Sequence, residues 1–281
     1  MADIEKTALS YLPARLRDAA ARVRGDEPVS EIRLRAGGLL TLTTRKSNLS
    51  SGVFCTAAEV VDTAARLCEG SLYAHADEIR DGVIATESGI RAGVAGHAVS
   101  DGGRVLAVRD VTSVNMRIPH RVPGAADPIL PLARAGLSLL LCGGVGTGKT
   151  TALRELIVRL ASRESRRRVS VIDTRYELGA GIREAVTADF FRGYPRAAGM
   201  EAAVRAMSPE FLICDEIAGS ADCEAIRAVR AAGVAVAASA HAVSEAGLTK
   251  NREIASLLAD GLFDALAFIG ADGKIEVKRL A

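Results

Sequence analysis

Tryptophan is absent from the 281 residues of this chain, and aromatic residues make up only 4% of it. Surfaces that hold single-stranded nucleic acid stack bases on aromatic rings along a basic groove. A formal net charge of +2 supplies no global field for such a groove either, so a nucleic-acid partner is not expected. Also missing is any apolar stretch of the roughly 18–20 residues that crosses a bilayer. The opening Met1-Ala-Asp-Ile-Glu-Lys6 lacks the charged-then-apolar order of a secretory signal, and the expected location is the cytoplasm. The five cysteines, Cys55, Cys68, Cys142, Cys214 and Cys223, are odd in number and show no C-x-x-C spacing, which favours buried, reduced thiols. His75, His97 and His120 have no metal-ligand spacing.

What is present is ordinary for a folded, water-exposed protein: 49% hydrophobic and 25% charged residues. The length predicts one large domain and one smaller one. Residues 6–24 place Leu9, Leu12, Leu16, Ala20 and Val23 at helical spacing. Glu31-Ile-Arg-Leu-Arg35 alternates and reads as a half-buried strand, followed by a second over 39–44. Thr56 is the cap of a further helix, and strands over 82–86 and 90–95 flank a turn at Glu87-Ser88-Gly89. With another strand over 114–118, residues 1–118 predict a small α+β domain. Pro119, Pro123, Gly124, Pro128 and Pro131 mark 119–132 as a proline-rich linker. Beyond it, the apolar runs 137–142, 169–172, 211–214 and 234–239 alternate with helical runs, the pattern of a parallel sheet covered on both faces, and define a second domain over 133–281.

The strand over 137–142 runs into Gly143-Gly144-Val145-Gly146-Thr147-Gly148-Lys149-Thr150, which fits the phosphate-loop pattern G-x-x-x-x-G-K-[ST], and a helical run starts at Thr151. Glycines let backbone N–H groups turn inward around phosphate oxygens, and the helix N-terminus adds partial positive charge. The chain is therefore expected to bind a nucleoside triphosphate, ATP, with Lys149 on the β- and γ-phosphates and Thr150 on Mg2+.

Three more strand ends carry candidate chemistry. The run 211–214 ends in Asp215-Glu216, where Asp215 would hold the Mg2+ shell and Glu216 would orient the attacking water; the alternative is that these acids cap the next helix. The run 169–172 ends in Asp173-Thr-Arg-Tyr-Glu177. Glu177 is a candidate base, and Asp173 reads equally as a water or metal contact and as a helix cap. His241 closes the strand from 234 and is either a structural histidine or a sensor of the γ-phosphate. Arg109 and Arg117 lie near the junction of the two domains. Arg117 reads either as an arginine finger or as the partner of a nearby carboxylate.

Taken together in this order, these motifs make the chain resemble the stage III sporulation protein AA family, which is similar to the motor ATPases of type II and type IV secretion. The N-terminal segments Glu31-Ile-Arg-Leu-Arg35, Gly70-Ser-Leu-Tyr73, Gly89-Ile-Arg-Ala-Gly-Val-Ala-Gly96 and Ser113-Val-Asn-Met-Arg117 also have counterparts there. The resemblance implies an α/β fold, a RecA-like P-loop ATPase domain with a smaller N-terminal α+β domain. It makes Gly143, Gly144, Val145, Gly146, Thr147, Gly148, Lys149, Thr150 and Thr151 the nucleotide cradle, Asp173 and Glu177 the aspartate-box acids, Asp215 and Glu216 the Walker B acids, and His241 the histidine-box residue. It further implies a homo-hexameric ring, peripheral to membrane-embedded sporulation channel components, that hydrolyses ATP to drive a trans-envelope channel during endospore formation. The chain departs from the family pattern at Thr174, where Glu is more usual, and at Ala218-Gly219, where Gly-Arg is more usual. Two other readings share the core: a motor stimulated by nucleic acid, disfavoured by the composition, and an ATP-gated assembly scaffold with little turnover.

Overall fold

The computed structural model describes residues 3–44, 46–86, 88–179, 181–182 and 184–280. Glu87, the first residue of the expected 87–89 turn, lies outside the described residues. The chain divides into two compact units, Met1–His120 and Arg121–Ala281.

In the first unit the helical period over 6–24 is split into α1 (Asp3–Ser10) and α2 (Ala14–Val23). Pro13 is the reason. Lacking an N–H, it cannot continue a helix, yet its carbonyl accepts from Arg17 N at 2.9 Å and opens the next one. Leu9, Leu12, Leu16 and Ala20 are buried as their spacing predicts. The strands β1 (Val29–Arg35), β2 (Leu39–Thr44) and β3 (Asn48–Phe54) precede α3 (Ala57–Leu67) and α4 (Ala76–Arg80). Then come β4 (Val83–Ala85), β5 (Arg91–Asp101) and β6 (Arg104–Arg117). They form an antiparallel sheet of order β3-β2-β1-β6-β5-β4. Its inner face (Ile32, Leu34, Leu40, Leu42, Val114, Met116) packs with Leu16, Val60 and Leu67 in one core. Each fully buried Leu or Ile contributes about 1.5–3 kcal/mol. Thr56 caps α3 in a capping box with Glu59, and Arg15 grips the same carboxylate at 2.6 Å.

Residues 119–132, expected as a proline-rich linker, pack in part. Ala126, Ile129, Leu130 and Leu132 are buried in the core of the second unit, and α5 (Leu130–Arg134) starts inside that stretch. The prolines leave room for such a turn because a proline in the first turn of a helix loses no backbone bond, and Pro131 occupies that position in α5.

The second unit continues with β7 (Leu139–Gly143), α6 (Lys149–Leu160), β8 (Val169–Asp173), β9 (Ala188–Arg192) and α7 (Arg196–Met207). It ends with β10 (Phe211–Cys214), α8 (Ser220–Ala231), β11 (Ala235–His241), α9 (Glu245–Leu248), α10 (Arg252–Ala259), β12 (Ala265–Ile269) and β13 (Ile275–Arg279). The sheet order is β13-β12-β7-β11-β10-β8-β9. All neighbours are parallel except the edge pair β12 and β13. The central strands are continuously apolar because both faces are covered. On β7, Leu139 and Leu141 join one core with Leu153 and Leu156, while Leu140 and Cys142 join the other with Met200 and Ile226. All five cysteines are free and buried, and burial pushes the Cys142 thiol up to about 12. Among the described residues no helix is long and apolar enough to cross a membrane.

Candidate nucleotide site

The parallel register brings the carboxyl ends of four strands to one edge. Gly143 of β7 pairs with His241 of β11, and Cys214 of β10 pairs with Ile172 of β8, which sets Asp215 and Asp173 on the same rim. From β7 the chain crosses over through α6 to β8, leaving β11 and β10 between them. Such crossings create a crevice at the strand ends, where ligands of open α/β sheets bind.

The glycine loop has the conformation its composition dictates. Gly146 and Gly148 adopt φ of 74° and 105°, left-handed values that a side chain resists. A Cβ on Gly143 would stand 2.5 Å from Thr147 Oγ1 and 2.9 Å from the carbonyl of Ile269, so the strand end is closed to any larger residue. Thr147 Oγ1 donates to the carbonyl of Gly144 at 3.1 Å, tying the loop to itself, and Val145 at its tip is 90% exposed. Lys149 is buried, and its Nζ donates to the carbonyls of Gly143 and Gly144 at 2.8 and 2.6 Å. Burial pulls its ammonium below the usual lysine range, and the carboxylates of Asp215 and Glu216 oppose that shift.

Beside the loop, Thr150 Oγ1 donates to Asp215 Oδ2 at 2.9 Å. The other Asp215 oxygen accepts from the Ser239 hydroxyl, whose Oγ in turn accepts from Glu216 N at 3.0 Å. Ser239 thus fixes both acids, and it lets Glu216 hold φ at 49°, a left-handed conformation that costs a non-glycine residue roughly 1–2 kcal/mol. The Glu216 carboxylate has one oxygen 2.6 Å from His241 Nε2 and accepts from Arg175 Nη1 on the other. Gly146, Lys149, Thr150, Arg175, Glu177 and Glu216 line one cleft together with Thr151 and His241.

Asp173 lines a small pocket with Arg175, Glu177, Asp215 and Glu216. Expected either as a water or metal contact or as a helix cap, it is buried and accepts backbone N–H groups from Glu177 at 2.7 Å, Leu178 at 3.0 Å and Gly179 at 2.8 Å. Three amides saturate most of its acceptor capacity, and the carboxylate acts as the clasp of the loop that presents Arg175 and Glu177. Arg154 of α6 lies close by. Burial pulls its guanidinium below the ordinary range, and Asp173 and Glu177 oppose the shift. Arg117 belongs to the other unit, where it ends β6 and its Nε lies 3.8 Å from Glu31 Oε1. Sequence reasoning assigned nothing to Arg175 or Ser239. The signal for Ser239 was a hydroxyl near the end of an otherwise apolar strand. For Arg175 it was the cation between two acids in the Asp173–Glu177 stretch.

The family described as sporulation stage III, protein AA, matches residues 5–278. The chain belongs to that family. Stage III sporulation protein AA of Bacillus subtilis (strain 168) is 30% identical over 267 residues, which span 90% of this chain and 87% of that protein. In fold, this family member is similar to the Legionella pneumophila ATPase DotB, with a TM-score of 0.60 at 15% identity over 94% of this chain and 78% of that one. It is also similar to the pilus retraction motor PilT with bound ADP, with a TM-score of 0.59 at 16% identity over 90% of this chain and 76% of that one. The second unit has the RecA-like P-loop fold, which these likenesses show.

Proposed function

We propose that this stage III sporulation protein AA family member is a Mg2+-dependent ATP hydrolase of the secretion-motor type, working as a homo-hexamer at a membrane-embedded channel complex of the endospore. The observation that carries the reading is the 2.9 Å contact between Thr150 and Asp215 beside a glycine loop whose lysine is in place. A hydroxyl and a carboxylate side by side form the all-oxygen donor set that suits Mg2+, so Thr150 and Asp215 are the residues that would hold it. When bound, the ion draws negative charge from the phosphate oxygens.

The protein's own part is positioning and electrostatics. Loop amides and the N-terminus of α6 receive the phosphates, and the Lys149 ammonium moves from two carbonyl oxygens to phosphate oxygens of higher charge. Glu216 orients the water for attack and takes up its proton, with His241 holding the carboxylate in place. Glu177 stands across the same cleft as the second acid. Asp173 shapes the loop rather than the reaction.

Steady-state phosphate release tests this reading. Hydrolysis should require Mg2+ and should not respond to single-stranded DNA. ATP binding with no release under any nucleotide concentration would make the protein an ATP-gated scaffold. Stimulation by DNA would favour the nucleic-acid motor. Native mass measurement with ATP, ADP or no nucleotide tests the ring.

A further inference from the structure

Arg175 has no part in the reaction just described, yet it occupies the residue on which that reaction depends. Its Nη1 donates to Glu216 Oε2, while Oε1 lies against His241 Nε2 at 2.6 Å. Both oxygens of the acid assigned to hold water are therefore engaged. The two partners differ in how they are fixed. His241 ends β11, hydrogen-bonded in register with Gly143. Arg175 projects from the loop clasped by Asp173, and its side chain is 59% exposed in the cleft that contains Gly146, Gly148, Lys149 and Thr150.

An exposed ion pair is weak, so replacing one oxyanion by another costs the guanidinium little. Its planar fork matches a phosphate at least as well as a carboxylate. A terminal phosphate seated in the glycine loop would bring further negative charge up to Glu216, and a guanidinium transferred onto that phosphate neutralises part of it. A nucleoside diphosphate brings no such group. We propose that Arg175 distinguishes nucleoside triphosphate from diphosphate by exchanging Glu216 for the terminal phosphate. Glu216 then stays on His241 with its second oxygen open to water. The inference rests on the nucleotide-binding reading above and assigns the residue that makes the site sensitive to the γ-phosphate.

Calorimetric titration of the full chain with ADP and with the β,γ-imido analogue of ATP, both with Mg2+, tests it in wild type, Arg175→Ala and Arg175→Lys. The alanine variant should bind the analogue about tenfold or more weakly, the scale of losing a charged hydrogen bond. Its ADP affinity should stay within about twofold of wild type, and this also reports that the site is folded. Lysine keeps the charge without the fork and should restore part of the preference. Equal losses for both nucleotides in both variants, or no loss for either, overturn the assignment. Wild-type protein that binds neither nucleotide overturns the nucleotide reading itself, an outcome separate from the variant arms.

Discussion

The hydroxyl of Thr150 donates a 2.9 Å hydrogen bond to Asp215, joining the first turn of α6 to the residue that follows β10. The two are brought together because β10 and β7 are one strand apart in the sheet, both flanking β11. The contact couples the glycine loop to the acids, so changes on either side should be read at the nucleotide.

Lys149→Ala removes the buried cation of the loop. The carbonyls of Gly143 and Gly144 lose a donor, and the phosphates lose their main counter-charge. ATP affinity should fall about a hundredfold or more, the size of a charge-assisted bond to an anion. Titration with ATP checks this; affinity within a few-fold of wild type would sink the phosphate-loop assignment.

Glu216→Gln keeps the shape of the side chain and loses the carboxylate. ATP binding should survive while turnover drops by about two orders of magnitude or more, the usual scale of general acid and base effects. Near-parental phosphate release would move the role to Glu177, and Glu177→Gln would then be the variant that stops hydrolysis.

Two adjacent glycines should differ in their tolerance of alanine. At Gly143 the new Cβ meets Thr147 Oγ1 at 2.5 Å and a backbone carbonyl at 2.9 Å, whereas at Gly144 its nearest neighbours are 3.7 Å away. Gly143→Ala should lower stability by about 1–3 kcal/mol, the cost of overpacking. Gly144→Ala should unfold within about 0.5 kcal/mol of wild type, because its new Cβ makes only ordinary van der Waals contacts. Denaturant titration of the two variants decides it, and equal stabilities would contradict the loop packing.

In the N-terminal unit, Arg15 and the cap of α3 hold the Glu59 carboxyl at about 2, below its ordinary 4.5. A depressed folded value means the unfolded chain binds the proton first. The stabilisation is complete above about 4.5 and is lost as pH falls toward about 2. Glu59→Gln should therefore cost about 1 kcal/mol near neutrality, typical of a cap combined with an exposed pair. The cost should shrink toward zero at the acid end of that window. A stability difference that does not change between pH 5 and pH 2 would argue against the pair.

The sequence by itself determined the local chemistry of this protein. Continuous apolar runs bounded by helices could only be buried parallel strands, and the glycine-lysine-threonine loop could only sit between such a strand and a helix. The Thr56 cap was equally legible, because all of these patterns act over a few residues. Legibility ended where distant segments meet. The break of the helical period at Pro13 and the partial packing of the proline-rich 119–132 stretch could not be read locally, because packing, not propensity, decides whether such a segment turns or extends. The edge strands β3, β9 and β13 carry weak alternation, and pairing with a neighbour defines them. At the site, the spacing of Asp173, Glu177, Asp215, Glu216 and His241 along the chain says nothing of which oxygen faces which donor. Only the tertiary structure turned Asp173 onto three backbone amides and put Ser239 between Asp215 and Glu216. It also set Arg175 and His241 on opposite oxygens of Glu216, because hydrogen-bond partners are chosen by strand order and loop closure rather than by sequence distance.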